Sequence, residues 1–137
     1  MIKGIGIDST EIDRFYDWNK QSREKLQKIF SDFEIDYCIK NKKKSPERFA
    51  ARFAAKEAFF KALCQITPEH KVPFLTLCKS ISVNQQTNRS PELLINWTPI
   101  KEKNPHLETK DLQVFISITH TNNTATAIVI VENRKLI

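Results

Sequence analysis

Ser45-Pro-Glu-Arg-Phe-Ala-Ala-Arg-Phe-Ala-Ala-Lys-Glu-Ala-Phe-Phe-Lys-Ala-Leu63 decides the architecture of this 137-residue chain. Serine followed by proline predicts a helix cap with proline at the first helical position, where its missing N–H is not needed. The residues beyond this start are apolar almost all round: Ala51, Ala54, Ala55, Ala58 and Ala62 admit close neighbours, and four phenylalanines add bulk. Such a helix belongs at the centre of a domain. One residue sits uneasily in it. On a helix of about 3.6 residues per turn, Ala50, Phe53, Ala54, Phe60 and Lys61 fall within about 60° of Glu57, so the carboxylate stands amid an apolar stripe. Removing a carboxylate from water is costly unless a cation, hydrogen-bond donors or a metal ion compensates. Glu57 therefore needs a partner.

Met1-Ile-Lys-Gly-Ile-Gly-Ile-Asp8 supplies a candidate. As a strand it sets Ile5 and Ile7 on one face and Gly4, Gly6 and Asp8 on the other. Glycine weakens a strand, and these are the chain's only two glycines, so their spacing signals a close approach to the backbone. If Asp8 and Glu57 share a cleft, their like charges call for a divalent cation, and oxygen ligands favour Mg²⁺. The same residues admit another reading, in which Glu57 pairs with Lys61 one turn on and Asp8 caps the next helix.

Working outward, Ser9 or Thr10 is expected to cap a short helix over residues 11–19. An amphipathic helix over 21–30 turns Leu26, Ile29 and Phe30 inward and Lys20, Arg23, Lys25 and Lys28 to water. Ser31 then caps a third helix carrying Phe33, Ile35, Tyr37 and Ile39. Beyond a loop bounded by Pro68 and Pro73, residues 75–84 and 93–97 read as strands joined around 85–91, and 98–111 as loop with a helical turn. Residues 114–120 and 124–131 alternate β-branched and small side chains about Thr121-Asn-Asn123, a hairpin signal that leaves His120 at a strand end.

A formal charge of +6 and a pI near 9.3 favour an anionic partner: nucleic acid, phosphorylated metabolite or acidic protein. Lys40, Lys42, Lys43 and Lys44 form the densest basic run and read as a solvated loop. Three widely spaced cysteines indicate neither a disulfide framework nor a Cys-x-x-Cys metal site. No apolar run approaches the roughly 20 residues of a membrane span, and no secretory leader pattern opens the chain. The expectation is a single soluble, cytoplasmic domain over 1–137.

Three motifs, in order, resemble the holo-acyl-carrier-protein synthases within the 4'-phosphopantetheinyl transferases. Gly4-Ile-Gly-Ile-Asp8 with Glu11-Ile-Asp-Arg-Phe15 is similar to the N-terminal signature; Arg48 to Leu63, with Lys56-Glu-Ala-Phe-Phe-Lys61 at its core, resembles the second; Ile116-Ser-Ile-Thr-His-Thr121, with Ala125 and Ala127 beyond, resembles the third. The resemblance implies an α+β fold, a long central helix and shorter helices packed on a small antiparallel sheet, and a homotrimer with active sites near subunit interfaces. It implies transfer of the 4'-phosphopantetheine arm of coenzyme A to a serine of apo acyl carrier protein, releasing adenosine 3',5'-bisphosphate, in support of fatty acid biosynthesis. Asp8 and Glu57 would hold Mg²⁺, and Lys61 would neutralise phosphate charge. Arg52, His120 and Thr121, with Lys43 or Lys44, would take the nucleotide end of coenzyme A. Lys56, about 100° around the helix from Glu57, is expected to face another part of the ligand or solvent. Arg14, Arg23, Lys25 and Lys28 would receive the acidic carrier protein. The family's glycine turn after the lysine is replaced here by Cys64-Gln-Ile-Thr67, which puts phosphate binding by backbone there in question. A member without catalysis and a basic nucleic-acid module are the rival readings; the latter leaves Asp8 and Glu57 unexplained and has no binding motif.

Overall fold

The structure is a computed structural model that describes residues 1–69, 72–85 and 89–135. Its elements run β1 (Ile2–Glu11), α1 (Arg23–Leu26), α2 (Asp32–Lys40), α3 (Ser45–Ile66), α4 (Phe74–Ser80), β2 (Ile81–Asn84), β3 (Glu92–Ile95), α5 (Thr98–Lys103), β4 (Leu112–His120) and β5 (Thr124–Asn133). β1, β5 and β4 form an antiparallel sheet in that spatial order, and β2 pairs with β3 in a separate two-stranded ladder. This is the expected α+β arrangement, with α3 lying across β1 and β5.

The glycines explain how closely α3 lies. A Cβ at Gly6 would fall 1.8 Å from the carbonyl oxygen of Ala58, and one at Gly4 would fall 2.4 Å from that of Ala62. The close approach expected at these positions is therefore made by the central helix itself. Ala58 and Ala62 complete the contact from above, and Ala125 and Ala127 continue the small-residue floor into β5, opposite Thr10 and Asp8.

Aromatic packing locks the other side of α3. Phe49 meets Phe30 and Trp18, Phe53 meets Phe15, and Phe74 of α4 stacks edge-on against both Phe53 and Phe60. Phe15, Phe49 and Phe59 are fully buried. The opposite sheet face is bare. Register aligns Ile5, Ile130 and Phe115 in one row and Ile7 with Ile128 in the next, and Ile5, Ile7 and Phe115 remain exposed.

Several local expectations give way to tertiary pairing. Residues 9–11 do not start a helix; they continue β1, because β5 is long enough to pair through Glu11 and Ser9 meets the Thr126 hydroxyl across the ladder. Two 3₁₀ turns come next, Ile12–Phe15 and Trp18–Lys20. The helix expected over 21–30 shrinks to one turn capped by Ser22, although Leu26 and Phe30 still reach the core, since so short a helix gains more from packing than from its own hydrogen bonds. Residues 74–80 are helical rather than extended: with Pro73 at the N-cap, Phe74, Leu77 and Cys78 meet the core at helical spacing. Residues 98–103 form α5, the helical turn expected within the stretch 98–111. Ser31 caps α2 as expected and completes a capping box with Glu34. Ser45 does not cap α3; Lys44 holds the N-cap position, and the buried Ser45 hydroxyl has no partner among the described residues. The connection expected around 85–91 lies partly outside the described residues.

Candidate active site

Pitch matching brings the two acids together. Four residues of helix advance about 6 Å and two residues of strand about 6.6 Å, so side chains at 65, 61 and 57 keep step with alternate residues along β1. Gln65 Oε1 accepts the Ile5 N–H at 2.8 Å. One turn earlier, Lys61 Nζ donates to the Ile7 carbonyl at 2.9 Å and lies 3.4 Å from Asp8 Oδ1. These bonds cover the edge of β1 that β5 leaves open, the usual hazard of an edge strand. The next side chain in the series is Glu57, which falls within the field of Asp8.

Electrostatics register that convergence. Glu57 is half-buried, and burial first and the Asp8 charge second push its carboxyl above the usual glutamate value, against the opposing pull of Lys61 and then Arg14. Asp8 is steadied by the Thr10 hydroxyl, which donates to Oδ2 at 2.8 Å. Thus Asp8 caps no helix, and Lys61 serves Asp8 and the strand edge rather than Glu57 alone. Of the alternative reading, the Asp8 cap is absent, and the pull of Lys61 on Glu57 is shared with Asp8. Two carboxylates in one cluster, one of them resisting ionisation despite Lys61 and Arg14 nearby, are hard oxygen donors that suit a hard cation that keeps most of its waters. No third His, Cys, Asp or Glu joins such a group among the described residues.

Arg14 belongs to this cluster. Its guanidinium lies over the Phe53 ring at 4.6 Å, one turn before Glu57. Arg23 is taken up at the surface instead: it pairs with Asp32 and Asp36 of α2, bonds that raise its pKa, while Gln27 first and Arg23 second lower that of Asp32. Lys25 and Lys28 stand exposed on the same flank.

His120 and Thr121 sit at the hairpin end beside the first turn of α3. His120 Nε2 lies 3.0 Å from Glu47 Oε1, a partner that no motif announces. Thr121 Oγ1 accepts the N–H groups of Asn123 and Thr124 and so shapes the turn, keeping its own proton to donate. Arg52 is 2% exposed and lies against Tyr37 at 4.3 Å, its Nη1 donating to the Arg48 carbonyl. Its Nε and Nη2 have no partner among the described residues.

Two expectations are corrected. Lys56 faces neither ligand nor water: it is fully buried and ion-paired with Glu34 at 2.7 Å. Beyond Leu63 the helix runs on through Ile66, so the N–H groups of Cys64, Gln65 and Ile66 are engaged within α3. The ammonium nearest this end of the cluster is that of Lys61, held on the Ile7 carbonyl and beside Asp8. Thr10 could have been found by reading the period of β1 two residues past Asp8; Glu34, Glu47 and Gln65 could not, because only tertiary packing selects them. Cys38 and Cys78 are free and buried, with thiols pushed up to about 12 by burial, and suit no reactive role. A cleft of about 560 Å³ opens at the far end of α3 between Lys3, Gln65, Lys103 and His106, but Asp8, Glu57, Lys61 and His120 do not line it. No helix among the described residues is long and apolar enough to cross a membrane.

Comparison with known proteins places this geometry in a family. Residues 4–129 match the family model of the 4'-phosphopantetheinyl transferase superfamily. The chain is 36% identical to a holo-[acyl-carrier-protein] synthase of Thermodesulfovibrio yellowstonii, over 96% of this chain and 99% of the relative, and 33% identical to one of Geotalea daltonii over the same shares. Its fold is similar to the holo-(acyl-carrier-protein) synthase of Bacillus anthracis solved in complex with CoA (3',5'-ADP), with a TM-score of 0.72, 26% identity, and 97% and 98% of the two chains covered. With its two-acid cluster carried on the strand and helix that bear the first two motifs, the chain belongs to the 4'-phosphopantetheinyl transferase superfamily.

Proposed function

We propose that this protein transfers the 4'-phosphopantetheine arm of coenzyme A to a serine hydroxyl of apo acyl carrier protein, with Mg²⁺ held by Asp8 and Glu57. The observation that carries this reading is the placement of those two carboxylates and Lys61 along one strand edge. A divalent ion there supplies charge neutralisation to a pyrophosphate. The chain's own contribution is positional: Thr10 fixes one carboxylate, Lys61 presents an ammonium next to it, and the apolar wall of Phe53, Phe60 and Phe74 limits water near Glu57. The relatives named holo-[acyl-carrier-protein] synthase support the acceptor, and the Bacillus anthracis structure in complex with CoA (3',5'-ADP) supports the donor.

His120, Thr121 and the unpaired donors of Arg52 suit an anionic nucleotide, its 3'-phosphate included. Glu47, which holds His120, lies about 15 Å from Glu57 along α3, farther than one ribose reaches from its 5'-pyrophosphate to its 3'-phosphate. That separation favours a ligand bridging the acid cluster of one copy and the hairpin end of another. The bare Ile5, Ile7 and Phe115 face supports self-association, read with the family resemblance as a homotrimer. Arg14, Lys25 and Lys28, with Arg23 behind them, offer positive charge to an acidic carrier. The cytoplasm and fatty acid biosynthesis complete the proposal.

Incubating the purified protein with Mg²⁺, coenzyme A and apo carrier protein, followed by mass spectrometry, should show the carrier gaining the mass of the arm. No gain with several carriers defeats the reading. Transfer that survives a chelator defeats its metal component.

A further inference from the structure

We propose that Lys56 is the positioning residue for Glu57: its buried ammonium sets the roll of α3 about its axis and thereby aims the neighbouring carboxylate at Asp8. Lys56 Nζ donates to the carbonyls of Ile29 at 2.7 Å, Cys78 at 3.1 Å and Ile81 at 3.1 Å, and pairs with Glu34 Oε1 at 2.7 Å. These acceptors come from the approach to α2, the last turn of α4, the start of β2, and α2 itself. Glu34 spreads the anchor further by accepting the N–H groups of Ser31 and Val83.

The rest of α3 cannot fix its roll so firmly. Apolar burial has no direction. Ala51, Ala54, Ala55, Ala58 and Ala62 contribute buried methyls, and the packed phenylalanines contribute bulk, but neither makes a hydrogen bond that singles out one roll angle. The bonds of Lys61 and Gln65 to β1 do have direction, yet they are exposed and water competes for them. The Lys56 side chain is fully buried, and its bonds to Cys78, Ile81 and Glu34 have no such competitor. With side chains about 5 to 6 Å from the axis, a 20° roll displaces a carboxylate by about 2 Å. A misplacement of about 1 Å at reacting groups costs on the order of 10²-fold in rate. Lys56 and Glu57 are adjacent in sequence, so the anchor and the group it aims share one rigid turn.

The inference rests on the proposed metal reading for one of its readouts and is tested by two variants. Glu34→Gln removes the buried anion but leaves the three carbonyl bonds of Lys56; Lys56→Met with Glu34→Gln removes every bond made by Lys56 and leaves no unpaired buried charge. Urea unfolding gives stability, mass-spectrometric transfer assays give kcat and KM, and Mn²⁺ titration followed by electron paramagnetic resonance, without substrates, gives metal affinity. Glu34→Gln is expected to keep kcat within about threefold of the parent protein even where its urea midpoint falls. The double variant is expected to lose at least tenfold in kcat and in Mn²⁺ affinity, at a urea midpoint matching that of Glu34→Gln and with KM for the carrier within twofold. Equal kcat in the two variants overturns the inference, as does a double variant that does not fold, which would assign Lys56 to folding alone. A parent protein that binds no Mn²⁺ instead removes the metal from the proposed function, and kcat then decides the role of Lys56.

Discussion

Replacing Gly6 by alanine perturbs the contact on which the active site stands. The added Cβ falls 1.8 Å from the Ala58 carbonyl oxygen, 2.8 Å from the Ala58 carbonyl carbon and 2.9 Å from the Ala62 nitrogen. A carbon normally meets a carbonyl oxygen at about 3.3 Å, so the helix or the strand must give way by about 1.5 Å. All three atoms are backbone, and no rotamer change relieves them. Overpacking by one methyl costs about 1 to 3 kcal/mol, and this site belongs at or above the upper end because a whole 22-residue helix must move. Such a shift separates Glu57 from Asp8, so transfer should fall by about 10²-fold or more. Gly4→Ala provides the graded comparison. Its nearest contact is 2.4 Å from the Ala62 carbonyl oxygen, about 0.9 Å short of the ordinary distance, and both losses should be smaller. Adding Ala58→Gly to Gly6→Ala should rescue neither, since the obstructing atom is a carbonyl. Urea midpoints with transfer rates test the series. Gly6→Ala with parental stability and rate, or rescue by Ala58→Gly, refutes the close-approach argument.

Glu57→Gln should abolish transfer by more than about 10²-fold without lowering stability near neutral pH. The sign follows from the raised pKa of Glu57: the penalty for ionising it is absent below the unfolded value near 4.5 and grows as pH rises through the folded one. The variant's urea midpoint should therefore match the parent's in acid and move above it as pH rises; the opposite trend counts against the crowded-acid account. Arg14→Glu should raise KM for the carrier protein more than KM for coenzyme A, as steady-state kinetics with each substrate varied will show, and the reverse order overturns its placement on the carrier's path. Ile7→Glu sets a charge in the bare sheet face, where the parent side chain is 58% exposed. Light scattering should then report a smaller assembly with the circular dichroism spectrum unchanged; an unaltered mass excludes that face as the interface.

The central helix, the first strand and the final hairpin were legible because each satisfies its own periodicity over many residues and needs no distant help to declare itself. The link between Asp8 and Glu57 was legible for a related reason: a carboxylate on an apolar stripe and two glycines ahead of an aspartate are both local anomalies that demand a partner. The short elements were not. Residues 9–11 carry good capping side chains, yet a free edge on β5 outweighs a cap, since a continued ladder satisfies several backbone groups at once. Residues 74–80 have β-forming side chains, yet Phe74 fits between Phe53 and Phe60 only when the chain coils.

Sequence alone determined the two acids proposed for the site, the helix and strand that carry them, and the family whose motifs they form, because these are matters of side-chain chemistry at fixed spacing. Tertiary structure alone decided the surroundings of each acid. Lys56 turned to the interior because Glu34 and three carbonyls offered its ammonium more than water could, Arg23 was taken up by two acids of α2, and Glu47 came to His120 because the hairpin ends beside the first turn of α3. Those partners lie 9 to 73 residues apart in the chain, and nothing in local periodicity can select among acceptors at such separations.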